Sequence, residues 1–216
     1  MRVPNDELVI SDDMANGKLY TAITAAESVC FLGDSLTEGT KNGGCPWYEP
    51  IASHFSDKEI YDFSKGGCTI SYLIDNADSI PAAQLYVIAI GTNDVRYRNE
   101  TTCAMSAQDF VQRADELKNR LSAVSPNAEF IFIAPWYSVD GDPYTPLSFS
   151  QKTALNEEFS SALEAYCSSN EIGFINANPY LSKVLSTEMH SRYLLDHIHP
   201  NCGDGVILYS EAVLLA

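Results

Sequence analysis

Four short stretches of this chain hold residue types suited to nucleophilic chemistry. In chain order they are Gly33-Asp34-Ser35-Leu36, Gly66-Gly67, Gly91-Thr92-Asn93-Asp94 and Asp196-His197-Ile198-His199-Pro200. A serine hydroxyl is a poor nucleophile until a base takes its proton, and imidazole is the side chain suited to do so near neutral pH. The last stretch supplies two imidazoles, His197 and His199, beside the carboxylate of Asp196. A carboxylate three residues before His199 can be brought by one turn of chain against the ring nitrogen that faces away from the serine, and so orient the base. Each stretch alone also has a plain structural reading. Gly-Asp-Ser-Leu can be a turn or helix cap, Gly-Thr-Asn-Asp an Asx turn, Gly66-Gly67 a loop, and Asp-x-x-His-Pro a surface hydrogen bond before a proline turn. What sets them apart from such turns is that all four occur together, in loops that a single fold would gather.

The elements that must position them are legible in the pattern of side chains. Five segments rich in β-branched and aromatic residues read as strands: Ser28 to Leu32, Glu59 to Phe63, Leu85 to Ile90, Glu129 to Ala134 and Ile172 to Asn176. The third and fourth are nearly continuous apolar runs, as strands buried on both faces should be, which implies a parallel sheet covered by helices. Apolar spacing near 3.6 residues predicts long helices over Ala107 to Val124 and Ser150 to Ser169, and shorter ones near Pro46 to Phe55, Thr69 to Ala77 and Gly205 to Leu215. The alternation gives an α/β fold, a single three-layer α/β/α domain with a doubly wound five-stranded parallel sheet over residues 28–216. Residues 1–27, weaker in pattern, are expected to form an irregular N-terminal arm. In the flavodoxin-like strand order 2-1-3-4-5 the strands before Ser35, Gly67 and Asn93 are neighbours, so at about 4.8 Å per strand the three emerge within roughly 10 Å of one another. The stretch from Asn176 to His199 is expected to act as a long loop that carries the histidine across.

This ordered set resembles the SGNH (GDSL) hydrolases, a family of esterases and acylhydrolases named for a Ser, Gly, Asn and His, and the likeness spans nearly the whole chain. Carried over residue by residue, it implies a catalytic triad of Ser35, His199 and Asp196, with His199 rather than His197 as the base. It also implies an oxyanion hole from the backbone N–H groups of Ser35 and Gly67 and the side-chain amide of Asn93. Such donors act where negative charge develops in the tetrahedral intermediate. Asp62 stands where many members of the family carry Asn at the start of the second block. The activity implied is hydrolysis of short-chain acyl esters, an O-acetyl carbohydrate among them, through an acyl-enzyme. The first alternative is an O-acyltransferase that passes the same acyl group to a sugar hydroxyl. The alternative of another class is a non-catalytic flavodoxin-like binding module.

Trp136 and Tyr137, directly after the fourth strand, are expected to line an acyl or sugar pocket. Asp34 and Asp94 are expected to hold their loops by hydrogen bonds to nearby backbone. His54 and His190 read as surface or packing residues, and Cys68, for which no base can be assigned, as small-residue packing. No H-E-x-x-H or Cys/His cluster is present, so neither a metal nor any other cofactor is expected. Against 29 Asp and Glu the chain has 13 Lys and Arg, a net charge of −16 that would repel a phosphate backbone and disfavours nucleic acid as a partner. A neutral small-molecule or carbohydrate acyl ester fits that field more easily. The N-terminus is acidic, with no long apolar run, so no membrane partner is expected and the cytoplasm is the expected location; a leader already removed by export would leave the same sequence. Six scattered cysteines in a chain of 216 residues, without a C-x-x-C pair, are expected to be reduced thiols.

Overall fold

Side chains alternate in direction along each central strand and so sort the core into two layers, one on each face of a parallel sheet. The computed structural model describes residues 7–96, 98–99, 102–103 and 105–216; the side chains of residues 96, 98–99, 102–103 and 188–189 are not described. Strands β1 (Ser28–Gly33), β2 (Glu59–Ser64) and β3 (Leu85–Ala89) are followed by a two-residue antiparallel hairpin, β4 (Arg98–Asn99) with β5 (Thr102–Cys103), and then by β6 (Glu129–Ile133) and β7 (Gly173–Ile175). The sheet order is β2-β1-β3-β6-β7, which is 2-1-3-4-5 when its five strands are ranked along the chain, and all its neighbours pair in parallel. Val29, Phe31, Val87, Ile131 and Ile133 face one core layer, whereas Cys30, Leu32, Tyr86, Ile88, Phe130 and Phe132 face the other.

The first layer is covered by α1 (Asp12–Ala15), α2 (Lys18–Ala25), α4 (Glu49–Ala52), α9 (Asn178–Leu185) and α10 (Asp204–Leu214). The second is covered by α5 (Ile70–Asp75), α7 (Ala107–Val124) and α8 (Phe149–Ser169). Two further short helices, α3 (Ser35–Glu38) and α6 (Thr92–Arg96), start directly after β1 and β3 and carry the first and third motifs. Both long helices open on a capping box: Ser106 with Asp109 for α7, and Ser148 with Gln151 for α8. Each box satisfies two N–H groups that the helix itself leaves unpaired.

Two expectations need correction. The described part of the N-terminal segment is no irregular arm: α1 and α2 pack on the sheet, with Leu19 and Ile23 fully buried. Both are too short to show a clear period in sequence, and burial against α10 and the sheet supplies what propensity does not. The stretch from Asn176 to His199 is likewise not a bare loop. It contains α9, begun by Pro179 in the first turn and held by buried Leu181 and Leu185, four residues apart. Near Pro46 to Phe55 only Glu49–Ala52 is α-helical, while Trp47 and Phe55 anchor its flanks in the core.

Candidate active site

Ser35 is the first residue of α3, and its position follows from the residue before it. Asp34 is the N-cap of that helix, fully buried, with its carboxylate accepting the Leu36 N–H at 3.1 Å. The strand therefore ends in a sharp turn with the Ser35 side chain at the carboxyl edge of the sheet. There Ser35 Oγ lies 2.8 Å from His199 Nε2, and His199 Nδ1 lies 2.7 Å from Asp196 Oδ2. The second carboxylate oxygen of Asp196 accepts the N–H groups of Ile198 and His199, at 2.9 and 2.8 Å. The three-residue spacing thus closes a tight loop in which one carboxylate fixes both the backbone and the ring of the histidine. Burial alone would raise the Asp196 pKa, but the hydrogen bonds from the His199 ring and from the two N–H groups outweigh it and hold the carboxyl well below the usual range.

The chain around His199 is anchored from several sides. Tyr209 donates its hydroxyl to the Ile198 carbonyl at 2.9 Å, and Asn42 donates its side-chain amide to the Pro200 carbonyl at 3.0 Å. Cys45 and Cys202 form a disulfide with their Cα atoms 5.4 Å apart, tying the loop after α3 to the loop after His199. This corrects the expectation of reduced thiols for that pair. A separation of 157 residues hides the pairing in sequence, and only the approach of the two loops creates it. Cys30, Cys68 and Cys167 are free and buried, and the Cys103 side chain lies outside the described residues. Burial pushes the Cys68 thiol up to about 12, with further repulsion from Asp34, so it stays protonated beside the site.

The second and third motifs converge on the same edge. Gly67 has φ +75°, a conformation open to glycine, and follows a turn in which Glu38 of α3 accepts the Gly66 N–H at 3.0 Å. Gly91 has φ +118°, and a side chain there would meet Phe110 and Pro135. Asn93, almost fully buried in α6, donates one side-chain N–H to the Cys68 carbonyl at 2.8 Å. A side-chain amide nitrogen carries two hydrogens, and this bond uses one of them. Asp94 accepts the Ile70 N–H at 3.2 and 3.3 Å and thereby ties α6 to α5. Where many SGNH hydrolases carry Asn, Asp62 accepts hydroxyls from Tyr48, at 2.7 Å, and from Ser64.

The remaining expected residues fall elsewhere. Trp136 is 2% exposed, with its ring against Trp47 and Tyr209, so it packs behind the site instead of lining a pocket. Tyr137 is partly exposed and borders a cavity of about 240 Å³ between α8 and α9. His197 is buried with Nε2 3.5 Å from Asp142 and its ring centroid 6.5 Å from that of His199; the histidine hydrogen-bonded to Ser35 is His199. His54 contacts the Leu8 carbonyl and His190 that of Thr187. Among the described residues no group of three His, Cys, Asp or Glu is placed to hold a metal ion, and no helix is long and apolar enough to cross a membrane. Sequence reasoning did not find Glu38, Asn42, Tyr209 or the Cys45–Cys202 pair, since each acts on the site through a contact distant in sequence.

A nucleophile, a base and an orienting carboxylate in one hydrogen-bonded line, with amide donors alongside, can transfer an acyl group through a covalent intermediate. Among solved structures, a member of the lipolytic protein G-D-S-L family from Veillonella parvula superposes with a TM-score of 0.66 at 18% identity, over 87% of this chain and 96% of that one. An acetylxylan esterase from Geobacillus stearothermophilus, solved as a catalytic mutant, gives a TM-score of 0.67 at 16% identity, over 87% of this chain and 92% of the other. At such identities the likeness is one of fold. Comparison with curated protein sequences gives no match. The model of the GDSL-like lipase/acylhydrolase family matches residues 31–202, a span that begins in β1, ends at Cys202 and takes in all four motifs, and the chain belongs to that family as a hydrolase of the SGNH type.

Proposed function

We propose that the protein is a serine esterase that removes short acyl groups, acetyl above all, from carbohydrate esters. The observation that carries this reading is the unbroken line Ser35 Oγ to His199 Nε2 and His199 Nδ1 to Asp196, at 2.8 and 2.7 Å. Ser35 Oγ attacks the ester carbonyl carbon while its proton passes to His199 Nε2. The oxyanion is met by the N–H groups of Ser35 and Gly67 and the free hydrogen of the Asn93 amide. The C–O bond to the alcohol then breaks, the alcohol leaves with the proton held by His199, and Ser35 is acylated. Water attacks the acyl-enzyme with His199 as base, releasing the carboxylic acid and restoring Ser35. Asp196, held ionised, stabilises the imidazolium formed in each half.

The preference for a carbohydrate acetyl ester draws on fold likeness to an acetylxylan esterase and on a net charge of −16, which suits a neutral substrate. Family membership leaves the non-catalytic binding module without support. The Cys45–Cys202 bridge favours an oxidising compartment over the reducing cytoplasm. The test is hydrolysis of p-nitrophenyl acetate, butyrate and octanoate by the wild type and by Ser35→Ala, with circular dichroism to check the fold. Turnover falling with chain length and lost in Ser35→Ala is the expected result; undiminished turnover in the variant would refute the mechanism. A sugar ester accumulating when a sugar acceptor is added would identify the O-acyltransferase in place of the hydrolase.

A further inference from the structure

A groove of about 390 Å³ runs beside the triad between the loop after β6 and the segment before His199, and Asp196 lines it. Its walls include Val139, Pro143, Tyr144, Leu194 and Leu195. Exposed apolar side chains carry information when they fall together, and Tyr144, 67% exposed, and Leu195, 57% exposed, border this one groove. The wall that carries Tyr144 is fixed from beneath. Lys152 of α8 pairs with Asp142 at 2.7 Å, Asp142 lies 3.5 Å from His197, and all three side chains are more than nine-tenths buried. Asp142 also accepts the Tyr144 N–H at 3.0 Å, and Val139 donates its N–H to the His197 carbonyl at 2.9 Å. A buried ion pair brings little net stability once its desolvation is counted, but it fixes geometry. Here the pair and these backbone bonds hold the chain at Tyr144 in register with the segment that carries His199.

We propose that this groove is a subsite for the alcohol side of the substrate and binds a neutral sugar residue of the esterified oligosaccharide. The proposal rests on the esterase reading above and names where its carbohydrate sits. The groove adjoins the triad at Asp196, on the side of the His199 ring away from Ser35, so a sugar seated in it is a chain neighbour of the esterified residue. An exposed tyrosine ring beside a leucine suits the apolar face of a sugar ring, while the carboxylates of Asp140 and Asp196 and the hydroxyl of Ser191, all lining the groove, accept sugar hydroxyls. The same carboxylates repel an anionic ligand.

The experiment compares specificity constants for an acetylated xylooligosaccharide and for p-nitrophenyl acetate in the wild type, Tyr144→Ala and Tyr144→Ala/Leu195→Ala. Calorimetric titration of unacetylated xylohexaose into Ser35→Ala, with and without Tyr144→Ala, accompanies it. The oligosaccharide-to-acetate ratio should fall about tenfold in the double variant, mainly through KM, and the affinity for xylohexaose should weaken about tenfold. A ratio within twofold of the wild type together with unchanged or absent xylohexaose binding would overturn the proposal. So would a rise in KM confined to p-nitrophenyl octanoate, which would give the groove to an acyl chain. Absence of ester turnover in the wild type would sink the esterase reading instead, and the titration would still decide whether the groove holds sugar.

Discussion

Replacing Asn93 by alanine tests whether its amide stabilises a transition state as well as the fold, because the proposed mechanism gives its two hydrogens different tasks. One is bound to the Cys68 carbonyl at 2.8 Å; in the proposed mechanism the other meets the oxyanion. Removing one preorganised donor to an oxyanion raises the barrier by about 2.7–4 kcal/mol, or about 10²–10³ in kcat. Removing the partner of a buried carbonyl costs about 1–3 kcal/mol of stability, and alanine within α6 offsets a few tenths of that. Asn93→Ala should therefore stay folded, lose about two to three orders of magnitude in kcat on p-nitrophenyl acetate with little change in KM, and unfold at a lower urea concentration. Steady-state kinetics alongside urea titration would measure both. A kcat within threefold of the wild type, or a loss confined to KM, would show that Asn93 supports the loop and does not face the oxyanion.

The other predictions probe the remaining contacts. Asp196→Asn removes the anion opposite His199 Nδ1 and should lower kcat by about 10⁴, as such changes do in serine triads, with Ser35 still slowly phosphonylated by a reactive organophosphonate. Burial pushes the Asp94 carboxyl up to about 7 against the opposing Ile70 N–H, so between about pH 4 and 7 the folded chain keeps a proton that the unfolded chain has released. Stability from this group thus falls as pH rises through that window. The melting temperature of Asp94→Asn relative to the wild type should climb from pH 5 to pH 8, and a constant difference would contradict the assignment. Replacing Cys45 and Cys202 by serine should cost about 2–4 kcal/mol in chemical denaturation, since the bridge closes a loop that spans most of the chain.

How far the site could be read in advance depended on whether its contacts are local. Asp34 holding its own loop and Asp196 meeting the His199 ring span at most three residues, so chemistry and spacing alone foretell them. The parallel sheet was legible for a related reason: apolar runs covered on both faces demand one, and the strands found over 28–33, 59–64, 85–89, 129–133 and 173–175 keep within one residue of the expected bounds, while the order came with the flavodoxin-like fold. Helices α1, α2 and α9 were not legible, because they show no clear apolar period of their own and are held by the layer they cover.

Long-range proximity lay beyond the sequence altogether. Trp136 follows β6 at the active edge, yet the side to which its ring turns was decided by Trp47 and Tyr209 waiting in the core. Cys45 meets Cys202, and Glu38 the Gly66 N–H, only after the crossovers have stacked their loops. Asp142, Lys152 and His197, spread over 56 positions of the chain, are brought together and buried only when the loop after β6 packs on α8. The sequence determined the reacting groups and the strands that present them, because those follow from side-chain chemistry and short-range periodicity. Tertiary structure alone decided which groups are buried, paired and aligned, because burial and the close approach of distant side chains exist only once the whole chain has packed.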